Sequence, residues 1–213
     1  DKKSNYVKRC VGIPGDTLEL INGFVHTNGE KNTYSSRTKV QFSHSAYAKK
    51  GVSSRKLLAE GFESFNRRYK IENITVSSYQ QLLPYIINRY GNTPDNFVVT
   101  TESKGLPPKL IGQLGLRVSE LLEARKEMTL TLKEAELLRN VAGIDSVIRR
   151  VASVKVPNES FFPNKIPFDW NEDNFGPILV PKKGMTVALN RSNLPLYKKI
   201  ITDYELNELE LTP

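Results

Sequence analysis

The sequence predicts an α+β fold, and three observations carry that reading. An apolar extended run over residues 6–13 ends at Pro14-Gly15 and continues into two short strands punctuated by Asn-Gly pairs. Between about residues 32 and 163, candidate strands and helices alternate. A stretch rich in Pro and Asn, residues 157–167, then sets off a last part with short strands and one helix.

Taken in order, Tyr6, Val7, Cys10, Val11 and Ile13 favour a pleated, half-buried strand. Two consecutive cations, Lys8 and Arg9, sit inside it. Successive side chains on a strand point to opposite faces, so one of the pair is expected to point inward. Pro14 pre-sets φ for the first central position of a type II turn, and Gly15 accepts the positive φ of the second. Residues 17–21 and 24–27, joined by Asn22-Gly23, read as a hairpin with a type I′ turn, and Asn28-Gly29 closes its second strand.

The middle part reads as follows. Residues 37–45 suit a strand with Val40 and Phe42 on one face, and residues 53–60 a helix stopped by Gly61. Residues 71–76 read as a strand. Leu82, Leu83, Ile86, Ile87 and Tyr90 have helical spacing over residues 77–90, although Pro84 starts or kinks any helix there. Residues 96–101 are a strand candidate, and Pro107-Pro108 opens a short helix through Leu110 and Ile111. Val118, Leu121, Leu122 and Arg125 fit one more helix. Residues 128–132 lead as a strand into a helix whose start carries Thr131 and Glu134 at capping-box spacing, with Ala135, Leu138 and Val141 inward and Gly143 at its end. The β-branched residues 145–156 return as a strand.

In the last part, turns at Gly176-Pro177 and Lys183-Gly184 frame a strand over residues 178–180, and residues 185–189 suit another. Asn193 can cap a helix that tolerates Pro195 early, with Leu194, Tyr197, Ile201 and Tyr204 inward.

Composition bounds the function. With 38% hydrophobic and 25% charged residues, the 213-residue chain has an ordinary globular make-up, sized for one large domain or two modest ones. No run approaches the roughly 18–20 apolar residues that span a bilayer. The chain opens on Asp-Lys-Lys-Ser-Asn without Met or signal peptide, which reads as a piece of a longer protein. The single cysteine, Cys10, excludes an internal disulfide and a Cys-based zinc site, and suits a small core position. The net charge of +8 comes from scattered Lys and Arg rather than a basic block, so a basic soluble surface is favoured over a nucleic-acid partner. Cys10 with His26 or His44 would form a cysteine-protease constellation only if they met in space, and their spacing gives no reason to expect it. Neither the histidines nor the carboxylates show metal-ligand spacing.

The stretch Tyr6-Val7-Lys8-Arg9-Cys10-Val11-Gly12-Ile13-Pro14-Gly15-Asp16 resembles the lysine-bearing motif of the type I signal peptidases. These are membrane-anchored serine proteases that remove signal peptides from exported preproteins. The order that follows, a strand, Asn-Gly, a strand and Asn-Gly again, is also similar to that family. So is the segment from Asp173-Asn174-Phe175-Gly176-Pro177 through Val180-Pro181-Lys182-Lys183-Gly184 to the last helix, which resembles a longer bacterial branch. The resemblance implies a β-rich catalytic core formed by residues 1–31 and 164–213, interrupted by an inserted α+β domain over 32–163. It implies that Lys8 is the general base of a Ser–Lys dyad. Asn5 and Val7 would bind the extended substrate, Val7 lining the pocket for a small side chain. Arg9, Gly12, Pro14, Gly15 and Asp16 would support the site; by residue type, Arg9 suits a brace to a carboxylate or carbonyl, and Asp16 suits a cap of the turn or a partner for a neighbouring backbone amide. It further implies a membrane anchor ahead of this sequence, a place on the outer side of the bacterial inner membrane, and chemistry without a cofactor.

A lysine forced into an apolar site loses its proton more easily and can act as a base at neutral pH. Its serine is not found here: Ser4 lies in the wrong context, no Ser-Met pair occurs, and Leu189-Asn190-Arg191 lacks the Gly-Asp of the family's closing motif. Both parts are expected outside this sequence, and the fragment is expected to be inactive. The competing expectation is a non-catalytic extracytoplasmic module that binds a protein or peptidoglycan through residues 32–163. Phe161, Phe162, Phe168, Trp170 and Phe175 suit either a docking patch or an ordinary contact between domains.

Overall fold

The computed structural model describes residues 8–93, 96–163 and 167–210. Its chain is mixed α and β, with antiparallel sheets and short helices. It divides into two compact units, one formed by Asp1–Arg37 with Val151–Pro213, the other by Thr38–Arg150.

The first unit is built on a four-stranded antiparallel sheet. Asn22 and Gly23 take φ of 50° and 78°, the paired positive values of a type I′ turn, and join β1 (Thr17–Ile21) to β2 (Phe24–Thr27). Asn28 and Gly29 repeat the device before the two-residue β3 (Glu30–Lys31). β11 (Phe175–Leu179) completes the sheet on the other side of β1, with a register shift between Leu18 and Leu20. Gly176-Pro177 thus lies inside this strand rather than in a turn before it. Phe168 and Trp170 stack at 4.4 Å, and Trp170 and Phe175 at 4.7 Å, while Phe161 and Phe162 are exposed. The aromatic cluster is therefore a trio.

Other expectations for this unit are corrected. Residues 8–13 form no strand, because among the described residues no strand pairs its backbone with theirs; the Thr27 hydroxyl on β2 donates to Val11 O instead. Residues 185–189 likewise find no partner strand. α5 (Leu194–Lys199) passes into one π-helical turn, Ile200–Tyr204. Asn193 does not cap it. Its backbone is already helical, and its side chain bonds Ala188 O and Asn190 N instead. Tyr204, expected inward, is 74% exposed. Among the described residues of this unit, only Pro163 and Asn171 are buried.

The second unit has two layers of organisation. Its inner part runs β5 (Asn66–Glu72), α2 (Val76–Leu82), β6 (Asn88–Thr93), β7 (Asn96–Glu102), α3 (Pro108–Gln113) and β8 (Arg117–Glu120). The sheet order β6-β7-β5-β8, all antiparallel, is that of a split β-α-β module. Tyr69, Ile71, Phe97 and Val99 alternate onto the face that meets Leu82, Leu106 and Leu116, and close one core. Two expectations fail here. Asn73 at φ 61° ends β5, and Thr75 with Ser78 forms a capping box, so residues 73–76 start a helix instead of prolonging a strand. The helix then tightens into a 3-10 turn at Leu83–Tyr85 around Pro84; Ile86 and Ile87 follow outside any element, and Tyr90 belongs to β6. The predicted helix at Val118 is β8, whose residues alternate between exposed and half-buried.

The outer part runs β4 (Gln41–Tyr47), α1 (Ser54–Ala59), β9 (Arg125–Thr131), α4 (Leu132–Arg139) and β10 (Ser146–Arg149), with sheet order β10-β4-β9. Phe65 makes a single antiparallel bridge to Met128 on β9, the position at which a fourth strand would sit. The inner module is thus inserted where the outer one would carry its second strand. Leu57, Met128, Leu130, Ala135, Leu138 and Val147 form the second core. The helix signals at Ser53, which caps α1, and at Thr131 with Glu134 appear as expected, whereas β10 stops at Arg149, well short of residue 156.

Candidate functional site

The turn at residues 13–16 is the best-braced part of the candidate site. Asp16 N donates to Ile13 O at 3.0 Å, and Gly15 takes φ of 101°, as a type II turn requires. One carboxylate oxygen of Asp16 accepts from Ile13 N at 2.8 Å, and the other accepts from Asn28 Nδ2 at 2.9 Å. The Ile13 amide, then the Asn28 amide, hold this carboxyl below its usual range. Asn28 completes the bracket by accepting from Thr17 N at 2.9 Å. The turn is also stitched to the end of β11: Gly15 N donates to Val180 O, and Val180 N to Asp16 O, both at 2.8 Å. Gly12 packs on β1, where an added Cβ would stand 2.6 Å from a Leu18 methyl carbon.

Upstream of the turn the picture changes. Lys8 and Arg9 are both exposed, so neither points into a core. Cys10 is exposed as well, its thiol donating to Gly12 O at 3.0 Å, which corrects the core position expected for it. The reason is the same for all three. Without a pairing strand or a facing layer, the alternation of a strand has nothing to bury against. Asn5 and Val7 lie outside the described residues. The structure thus brings Gly12, Pro14, Gly15 and Asp16 together on the turn and leaves Lys8 and Arg9 in solvent beside it.

Two residues that hold the region together were not singled out from the sequence as site residues. Asn28 is one, and the signal that hid it was its Asn-Gly turn. The other is Asn171, 1% exposed. Its amide donates to Ser153 O at 2.9 Å and Val156 O at 2.8 Å, and its oxygen accepts from Asp173 N and Asn174 N at 3.1 and 2.9 Å. Asn174 in turn donates to Ala152 O and accepts from Asn22 N, the tip of the β1–β2 hairpin. An Asn-Glu-Asp-Asn run is the sequence trace of such side-chain-to-backbone turns.

His26 sits on β2 with Nδ1 3.0 Å from Phe24 O, and His44 is buried on β4 with Nδ1 2.8 Å from Phe42 O. Burial pushes the His44 imidazole below its usual range. Lys126, 3% exposed on β9, donates to Asn66 O at 3.1 Å, and burial lowers its ammonium in the same way. Among the described residues, no three His, Cys, Asp or Glu side chains group as metal ligands do, and no helix is long and apolar enough to cross a membrane.

No protein-family model, curated protein or solved structure matches this chain. What the arrangement can do chemically therefore rests on the residues themselves. A rigid turn, closed by a carboxylate and stitched to two strands, fixes the direction in which the chain bearing Lys8 leaves it. It contributes the Lys8 amine within reach of solvent.

Proposed function

We propose that this chain is the extracytoplasmic middle part of a type I signal peptidase, a serine endopeptidase that cleaves exported preproteins at the outer face of the bacterial inner membrane. The observation that carries the reading is the run of residues 6–16 ending in the Asp16-braced turn and passing directly into the Asn-Gly hairpin. The addition of the Asp173–Pro177 segment to the same sheet supports it, since the two stretches that carry the resemblance are neighbours in space. So does the scarcity of buried residues in that unit, which fits a β core completed by segments outside this sequence.

In this reading a serine supplied by such a segment attacks the scissile carbonyl, and the neutral Lys8 amine takes its proton. The amine then returns the proton to the departing nitrogen, which leaves as the new N-terminus. Water, deprotonated by the same amine, hydrolyses the acyl-enzyme. The substrate lies extended beside Asn5 and Val7, bound through main-chain hydrogen bonds and a small side-chain pocket. Burial of Lys8, which the base role requires, comes from the completing strands.

The test is cleavage of an exported preprotein by the full reading frame, with and without Lys8→Ala. Cleavage after a small residue that Lys8→Ala abolishes is the expected result, and equal cleavage by both removes Lys8 from the mechanism. If neither cleaves, the better reading is a non-catalytic binding module, which draws on the two closed cores of the 38–150 unit.

A further inference from the structure

Within the 38–150 unit, α1, the segment after β8 and the turn after α4 enclose a cavity of about 320 Å³. Its apolar side is made by Leu57, which is fully buried, by Val141 and Ile144, which pack on the same core, and by Leu122, which is 67% exposed. Its polar side is cationic. Lys50 and Lys56 line it, and no carboxylate does. Lys56 Nζ donates to Ala142 O at 3.3 Å, which holds that ammonium at the cavity wall. Small-molecule sites have this make-up, mostly apolar walls with a few polar groups that fix orientation.

We propose that this cavity binds an apolar group that carries a carboxylate, the chemistry of a peptide's C-terminal residue with a leucine-sized side chain. The side chain lies against Leu57, Val141 and Ile144 under Leu122, and the carboxylate meets the ammonium groups of Lys50 and Lys56. The inference is independent of the peptidase reading, because neither Lys8 nor a preprotein enters its test.

The probes are N-acetyl-leucine, N-acetyl-leucinamide and hexanoate, titrated into the full chain and followed by amide chemical shifts. N-acetyl-leucine is expected to shift Leu57, Leu122 and residues 141–144, and to bind at least about tenfold more tightly than its uncharged amide. The double variant Lys50→Gln/Lys56→Gln loses that preference for the acid over the amide, and Leu122→Ser weakens both compounds. Lys109→Gln, on α3 and outside the cavity, changes nothing. An unchanged melting profile of each variant ties the loss to the site. Equal binding of acid and amide, no shift at these residues, or an unaltered preference in the double variant overturns the proposal. Tighter binding of hexanoate than of N-acetyl-leucine overturns the peptide-terminus assignment.

Discussion

Replacing Asn171 by Ala removes one buried side chain and leaves three backbone groups without the partner it gave them, the Val156 carbonyl and the amides of Asp173 and Asn174, while the Ser153 carbonyl keeps the Val156 amide as donor. A buried polar group that loses its hydrogen bond costs about 1–3 kcal/mol. Ser153 and Val156 are exposed residues whose carbonyls water can reach, so the lower end applies to them. Asp173 and Asn174 are half-buried, so their amides also fall near that end, and three lost partners at about 1 kcal/mol each give about 3 kcal/mol, a large share of the stability of a unit in which Asn171 is one of two buried residues among those described. Hydrogen exchange resolves it locally. Amides in residues 151–156 and 171–175, and those of β1 and β2 at the Asn22 turn, should exchange roughly a hundredfold faster, about 3 kcal/mol being that factor. Residues 41–149 provide the internal reference and should not change. Asn171→Asp keeps an acceptor for the two amides but sets a carboxylate against two carbonyls, and is expected to be at least as damaging. Exchange in residues 151–156 within about threefold of wild type would refute the reasoning, because the side chain would then hold nothing together.

Two further outcomes are specific. Gly105→Ala places a Cβ 2.2 Å from the Tyr69 hydroxyl at a φ of 73°, so strain and overpacking together should cost the 38–150 unit about 2–4 kcal/mol. At Gly61, with φ of 81° and open space, Ala should cost only about 1 kcal/mol, and equal losses in denaturant unfolding would deny the clash. The folded Asp16 carboxyl titrates below its unfolded range, so its brace is fully present above that range and is lost as pH falls through the folded value. Measured against the intrinsic rate at each pH, exchange at residues 13–17 should lose protection on acidification in wild type but not in Asp16→Asn; matching profiles would remove the carboxylate from the turn.

Local chemistry was legible in the sequence wherever a residue type left the backbone little choice. Asn22-Gly23, Pro14-Gly15, the Thr131–Glu134 box and the Ser53 cap appear where their chemistry places them. Pairing was not legible. Val118, Leu121, Leu122 and Arg125 satisfy a helical spacing, yet the free edge of β5 takes Val118 into β8, Leu121 and Leu122 follow outside any strand, and Arg125 opens β9. Once Pro84 ended the helix, Tyr90 entered β6 on the edge of β7, while Ile86 and Ile87 stayed outside any element, Ile87 N donating to Thr100 O at 2.8 Å. For the candidate site, the turn and the carboxylate of Asp16 could be read directly, since both are local. The exposure of Lys8, Arg9 and Cys10 could not, since burial depends on strands that the residues themselves do not name. Asn171 lay further out of reach: its bonds to the Asp173 and Asn174 amides are local, but Ser153 O and Val156 O reach it only by how residues 151–156 fold back.

The insertion of one module into another at Phe65 orders the assembly of the 38–150 unit. β4 pairs with β9 across a long stretch of chain, Ser45 meeting Glu127 at a separation of 82 residues. Closing so long a loop is entropically slow. The inner module, however, enters at Asn66 and leaves after Glu120 on neighbouring strands, with Leu121 N donating to Arg68 O at 2.8 Å. Once it has formed, the ends of the intervening chain are already side by side, and the outer sheet has only short segments left to close. Whenever it is formed before the outer sheet, the inner module acts as a clasp that converts a distant strand pairing into a local one.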